Sequence, residues 1–296
     1  MNQLESLHAF VTAVDAGSLS AAARELAMPL PTVSRKVAEL ERHLGTALVV
    51  RTSRRLVVTE AGQVYLATAR RLLEELADAD RIAGGELTAP RGELAIAAPL
   101  VFGRLHVLPI VAELLREYPD IRVRLVLSDR IANLVEDHLD VAVRIGELAE
   151  SSLVALRVGS VRRVTCASPA YLEEHGRPRK PADLVNHACI AFDGTVDEWR
   201  FAKRGGVTER IAIRPRLSVT TAEAATDAAI AGLGIARVLS YQSHGPERDA
   251  RLQRVLVAYE PSPLPVHLVR TGPVVPRKVR AFVDLAATRL KPILDR

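Results

Sequence analysis

Apolar positions near the start of the chain recur at intervals of three and four. The sets are Leu4, Leu7, Phe10, Val11 and Val14; Leu19, Ala22, Ala23 and Leu26; and Val33, Val37, Leu40 and Leu44. That spacing puts each set on one helix face and predicts three short helices. Gly17 stops the first, and Ser18 stands where an N-cap hydroxyl is wanted. The run Ala21-Ala22-Ala23 lets two helices cross at close range. The connection Ala27-Met28-Pro29-Leu30 is short, Pro31 suits the first position of the third helix, and Gly45 ends it. Leu48-Val49-Val50 and Leu56-Val57-Val58 then flank a polar turn, which predicts a hairpin.

From Thr59, a candidate cap, Leu66, Ala69, Leu73, Leu76 and Ala83 mark a longer helix with a coiled-coil-like stripe. Such a helix needs packing for stability: it lies on its own domain or pairs with a second copy. Gly84-Gly85 and Pro90-Arg91-Gly92 read as a hinge. Beyond them the rhythm changes to strands alternating with helices. Strands are expected at 94–98, 121–127, 141–143, 164–167, 188–192, 211–219 and 235–239, with helices at 105–115 and 278–290. This βαβ order predicts an α/β domain with largely parallel strands.

Composition narrows the classes. No apolar run approaches the ~20 residues of a membrane span, and Met1–Glu5 lacks a basic, then apolar, leader. A cytoplasmic protein with no membrane partner is expected. The formal charge of +5 permits a polyanionic partner without requiring one. Cys166 and Cys189 lie in apolar stretches as buried strand residues or a redox pair. The histidines show no metal spacing, and the serines show no GxSxG elbow. Gly232-Leu233-Gly234 follows a helix and precedes a strand, the reverse of a dinucleotide loop. No catalytic residue, metal or cofactor is expected, and the chain does not read as an enzyme.

Candidate chemistry concentrates near the N-terminus. The third helix carries Thr32, Ser34, Arg35 and Lys36 on its polar side, near the end that enters a major groove. Arg51, Arg54 and Arg55 edge the hairpin turn, where arginines lie along phosphates or in a minor groove. A charged loop alone is usually a solvated one; the adjoining helix-turn-helix favours DNA.

At this point the chain resembles the LysR-type transcriptional regulators. The resemblance rests on Phe10, Gly17-Ser18-Leu19-Ser20-Ala21-Ala22-Ala23, Thr32-Val33-Ser34-Arg35, Leu40-Glu41, Leu44-Gly45, Arg51-Thr52 and Leu56-x-x-Thr59-x-x-Gly62. It continues through Ala98-Pro99, Tyr118-Pro119, Leu127-Ser128-Asp129-Arg130, Asp140–Gly146 and Ala167–Leu172. Pro29-Leu30 stands where the family often has a polar pair, so one usual base-reading side chain is missing. The resemblance implies an α/β fold class with an N-terminal all-α winged helix-turn-helix. It further implies an effector domain of two α/β lobes resembling type 2 periplasmic binding proteins. The expected division is residues 1–58 for DNA binding, 59–90 for the linker helix and hinge, and 91–296 for the effector domain. Lobe I takes about 91–161 and 269–296, and lobe II about 162–268.

The DNA-binding candidates are then Ser18, Ser20, Pro31, Thr32, Ser34, Arg35, Lys36, Arg51, Arg54 and Arg55, and Leu66, Ala69, Leu73 and Leu76 are the dimerisation candidates. Projecting the family layout gives Pro99, Leu100, Val101, Phe102, Ser128, Arg144, Ile145, Thr220 and Thr221 for the effector. Arg144 either holds a ligand carboxylate or serves the structure. Pro99 stands where relatives often offer a hydroxyl, which favours a less polar effector or none. The resemblance implies double-stranded promoter DNA, a dimer or tetramer of itself, a small-molecule effector and RNA polymerase as partners. Two other readings remain: an architectural DNA binder without sequence preference, and a small-molecule binding module whose first domain serves assembly.

Overall fold

The structure, a computed structural model, describes residues 2–51, 56–83, 89–149, 153–192, 198–202, 208–272 and 275–294. The chain divides into two compact units, Met1–Ala89 and Pro90–Arg296.

The first unit is built on helices α1 (Gln3–Asp15), α2 (Leu19–Glu25) and α3 (Leu30–Leu44). Phe10, Ala13, Ala22, Val33, Val37 and Leu40 form its core, while Leu4 is left exposed at the end of its stripe. Ala22 is fully buried, as a close helix crossing requires. Ser18 caps α2 by accepting from the Ala21 N–H at 3.1 Å. The connection turns tightly through Ala27, at φ 49°. α3 begins one residue before the expected start, so Pro31 sits in its first turn rather than at its head. The wing pairs β1 (Val49–Arg51) with β2 (Leu56–Val58) in antiparallel register. Helix α4 (Glu60–Ala83) follows directly, with the Thr59 hydroxyl accepting from the Gly62 N–H at 2.9 Å.

The second unit has two sheets. The first runs in the order β4 (Ile121–Leu127), β3 (Gly92–Ala98), β5 (Val141–Ile145), β14 (Leu264–Arg270), β6 (Val154–Val161). The second runs β11 (Pro215–Val219), β8 (Cys189–Phe192), β12 (Ile235–Leu239), β7 (Arg163–Ala167), β13 (Gln253–Val255). A separate hairpin pairs β9 (Glu198–Ala202) with β10 (Thr208–Ala212). The expectation of largely parallel strands needs correction. β4–β3, β3–β5, β11–β8 and β8–β12 are parallel, and the other four neighbouring pairs are antiparallel. The strands that return from one lobe to the other cause this, and β6, β9, β13 and β14 were not foreseen. The span 211–219 also divides, because the chain leaves β10 before Pro215, which has no N–H to donate to a ladder.

The helices cover the sheets. In lobe I, α5 (Leu100–Phe102) runs through a π-helical turn, Gly103–Val107, into α6 (Leu108–Glu117). The C-terminal α10 (Arg277–Leu294) lies on the same core through Val279, Phe282, Ala286 and Leu290. In lobe II, α7 (Pro169–His175) packs on one face. Helix α8 (Ala222–Ile230) packs on the other and is followed by α9 (Ser240–Arg248). The chain crosses between lobes at Arg162 and again over residues 256–263. Lobe II therefore ends before β14, earlier than the expected 268. Gly232-Leu233-Gly234 is structural: a Cβ on Gly234 would stand 2.5 Å from the Ala188 carbonyl oxygen, and its φ is +153°.

Candidate nucleic-acid interface and effector cleft

The outward face of α3 follows from its buried one. At ~100° per residue, the direction opposite Val33, Val37 and Leu40 is shared by Pro31, Arg35 and Arg42, all exposed. Arg35 has 70% of its side chain exposed and pairs with Glu39 at 3.9 Å. Arg42, seven residues on, was missed by the sequence reading, although an i+7 step from Arg35 marks the same face. Thr32 and Ser34 flank this face half-buried. Ser20 is exposed on α2, and Ser18 is half-buried in its cap.

Lys36 departs from the expectation. It turns towards α1 and pairs with Glu5, leaving only 14% of its side chain exposed. That hydrogen bond and charge hold the Glu5 carboxyl below its ordinary range. Lys36 therefore braces α3 to α1 rather than standing beside Arg35.

The wing is fastened from behind. One carboxylate oxygen of Glu41 accepts from the Leu48 and Val49 N–H groups at 2.8 and 3.1 Å. The Thr59 hydroxyl donates to the Ala47 carbonyl at 2.7 Å. Arg51 closes the ladder opposite Leu56; its side chain, with Arg54 and Arg55, lies outside the described residues.

The linker stripe is spent largely within the chain. Ala69 is buried in the first unit's core, and Tyr65, Leu66 and Leu73 pack against that core. Phe10 and Tyr65 meet tilted, with ring centroids 6.1 Å apart, and Arg70 pairs with Asp15 of α1. Leu66, Ala69 and Leu73 thus face their own domain, the alternative that the periodicity had left open. Val64, Leu72 and Leu76 are exposed.

In the second unit, Pro99, Ser128 and Thr220 lie just beyond the carboxyl ends of β3, β4 and β11, and Ile145 ends β5. Ligands of open α/β sheets bind at such ends. The N-terminus of α5 already holds an anion, because the Leu100 N–H donates to the Asp129 carboxylate at 3.0 Å. Val101 and Phe102 are buried rather than open to a cleft, and Phe102 meets Tyr241 edge-on at 5.2 Å. Arg144 donates to the Ala132 carbonyl at 3.1 Å, which is the structural role. Ile145 is half-buried against the lobe I core. The Ser128 hydroxyl accepts from the Arg130 N–H at 3.2 Å, and the Thr221 hydroxyl caps α8 by accepting from Ala224. Thr220 is exposed.

The lobes are clasped beside this cleft. Arg104 on the π turn meets Glu223 on α8 at 3.0 Å, and His106 lies 5.9 Å from Tyr241. Burial pushes the Tyr241 phenol up and holds His106 below the usual imidazole range. A cavity of about 1300 Å³ opens behind α5, and of the expected effector residues only Val101 lines it.

Cys166 and Cys189 are both fully buried, on β7 and β8 with β12 between them. Cys166 packs with Val164 and Ile190, whereas Cys189 packs on the opposite sheet face with Leu184 and Trp199. Two strand spacings, ~9.5 Å, exceed the reach of a disulfide. Burial pushes both thiols up to about 12. The redox pair does not form. Among the described residues no cluster of His, Cys, Asp or Glu is placed to hold a metal ion. No described helix is long and apolar enough to cross a membrane.

This arrangement has known relatives. Residues 4–63 match the family described as bacterial regulatory helix-turn-helix protein, lysR family, and residues 88–291 match the LysR substrate binding domain. The chain belongs to the LysR family of transcriptional regulators: a helix-turn-helix DNA-binding domain joined to an effector-binding domain of the LysR type. It is 34% identical over 287 residues to an HTH-type transcriptional regulator of Xanthomonas campestris, covering 95% of this chain and 83% of that protein. It is 31% identical to the HTH-type transcriptional activator AaeR of Escherichia coli, covering 96% and 93%. Among solved structures, CrgA of Neisseria meningitidis, a LysR-type transcriptional regulator, aligns with a TM-score of 0.62. That alignment has 31% identity and covers 97% of this chain and 98% of CrgA.

Proposed function

We propose that the chain reads an operator through the outward face of α3 and answers to a small molecule held between the lobes. Arg35, with Pro31 and Thr32, enters the major groove, and Ser18, Ser20 and Ser34 hold neighbouring phosphates. Arg51, Arg54 and Arg55 of the wing follow the flanking backbone. Lys36 keeps α3 at the right angle through Glu5. The observation that carries this reading is Arg35: a 70% exposed guanidinium directly opposite the buried stripe of its helix.

Leu76, with Val64 and Leu72, supplies the apolar face on which a second copy docks, so that two α3 helices meet half-sites about one DNA turn apart. Effector domains then join dimers into a tetramer. Pro99, Leu100, Ser128, Ile145 and Thr220 form the cleft, with Val101, Phe102, Arg144 and Thr221 as its supporting wall. Because Asp129 occupies the α5 N-terminus, the ligand there is apolar or neutral at that end. The effector must bind two lobe arrangements unequally to change anything. The protein works in the cytoplasm, contacts RNA polymerase at the promoter and performs no catalysis.

The test is fluorescence anisotropy with DNA from directly upstream of its own gene against a scrambled duplex, across a salt series. A preference of ~10³-fold or more is expected. Equal, steeply salt-dependent affinity for both would replace this reading with an architectural one.

A further inference from the structure

The cavity behind α5 is not the cleft described above. Its wall comes from both lobes and from both crossings between them. Leu105 and His106 of the π turn, Arg162 of the first crossing, Tyr241 of α9, Pro263 of the second crossing and Leu294 of α10 all line it. At about 1300 Å³ it is ample for a small molecule, since such sites commonly hold several hundred Å³.

The wall has a sign. Four arginines line it, Arg104, Arg162, Arg248 and Arg254, against two acids, Glu223 and Asp227. Three of the arginines are already held: Arg104 by Glu223 at 3.0 Å, Arg248 by Asp249 at 3.5 Å, and Arg254 by Glu247 at 2.7 Å. Of these four, Arg162 has no carboxylate within ion-pair distance among the described residues, although Glu260 of the second crossing lies near enough to feel its charge, and Arg162 is exposed. The wall also holds an orphan: the Nε2 of His106 is buried with no hydrogen-bond partner. Such an atom costs stability unless something meets it. Leu105, Val161, Ile293 and Leu294 supply apolar surface beside these two groups.

We propose that this groove is a second ligand site for a small organic anion on an apolar body, its acidic group on Arg162 and a polar atom on His106. Arg162 can take a carboxylate or phosphate with two parallel N–H bonds. The site also has leverage on the hinge. Arg162 and Ser240 are tied reciprocally where β7 and β12 leave the second sheet, at the foot of the first crossing: the Arg162 N–H donates to the Ser240 hydroxyl at 3.2 Å, and the Ser240 N–H donates to the Arg162 carbonyl at 2.8 Å. An occupant touching Leu105, Arg162 and Tyr241 together fixes the angle between lobes.

Isothermal titration of the full chain with 1-naphthoate and octanoate, and with the corresponding neutral alcohols, tests this. The acids are expected to bind at least tenfold tighter than the alcohols. Arg162→Gln should weaken the acids tenfold or more and leave the alcohols unchanged. Ile293→Trp, which fills the groove at an exposed position, should weaken both, and it decides the matter if the first variant misfolds. Thr220→Trp, in the predicted cleft, should change neither. No binding of any probe at millimolar concentration would overturn the proposal, as would equal affinity for acid and alcohol. Acid binding abolished by Thr220→Trp and indifferent to Arg162→Gln would overturn it too, and would leave the cleft reading standing.

Discussion

A Cβ on Gly62 would stand 2.1 Å from the carbonyl oxygen of Leu48, closer than atoms can approach. The first turn of the linker helix is thereby pressed against the root of the wing, and the Thr59 N–H also donates to that carbonyl at 3.0 Å. The obstacle is backbone, so it has no rotamer into which to retreat. Gly62→Ala should destabilise the first unit by ~1–3 kcal/mol, the usual range for overpacking. Operator affinity should fall with it, because the wing root must move. Thermal unfolding followed by circular dichroism reads the first effect, and anisotropy of labelled operator reads the second. An unchanged midpoint would mean that the helix start shifts freely.

Arg35 and Lys36 are neighbours with opposite assignments, which separates groove contact from scaffold. Arg35→Ala should weaken operator binding by ~1–3 kcal/mol, the range for a lost base-edge contact, with little change in thermal midpoint. Lys36→Met should leave affinity within about threefold and lower the thermal midpoint only slightly, as expected for an ion pair whose acid is half-exposed. If Lys36→Met proves the more damaging to DNA binding, the Glu5 pair is not its role in the complex.

The three N-terminal helices were legible because their signals are local. The Ser18 cap, the close crossing at Ala22 and the Val33–Val37–Leu40 stripe each depend on residues within one or two turns. What failed was non-local. The stripe through Leu66, Ala69 and Leu73 announces a buried face without saying what buries it, and Phe10, Asp15 and α1 turned out to be the answer. Strands β6 and β14 were missed because they pair across a hundred residues, and β6 is exposed over its first half. The family layout places Arg144 in the cleft, yet the Ala132 carbonyl takes its guanidinium. The hinge groove left no sequence signal, since its wall is gathered from segments scattered between Val101 and Leu294.

The cysteines give a prediction of inertness. With both thiols pushed up to about 12, the thiolate fraction near neutral pH is on the order of 10⁻⁵, and the thiolate is the reactive form. Both sulfurs should resist a thiol-specific chromogenic reagent in the native protein at pH 7.5. Both should react promptly in denaturant. Peroxide treatment should leave operator affinity unchanged. Fast labelling of either cysteine in the native state would show that the second sheet opens readily.

His106 predicts a pH dependence whose sign is fixed by burial. Its folded value lies below its ordinary one, and burial is the cause; His187 and His267 shift the same way for the same leading reason. The unfolded chain therefore binds more protons than the folded one in the window just beneath the ordinary histidine range. Stability is then fully present above about pH 6.5, the unfolded value, and is lost as pH falls towards the folded values. Glu113 and Asp183 are shifted down by hydrogen bonds and erode stability only in the lower carboxylate range, so the two contributions separate on the pH axis. Unfolding midpoints measured from pH 8 to pH 5 should decline below about pH 6.5. His106→Leu should flatten part of that decline, because it removes both the titrating group and its orphaned Nε2. An equally steep decline in the variant would assign the effect to His187 and His267 instead.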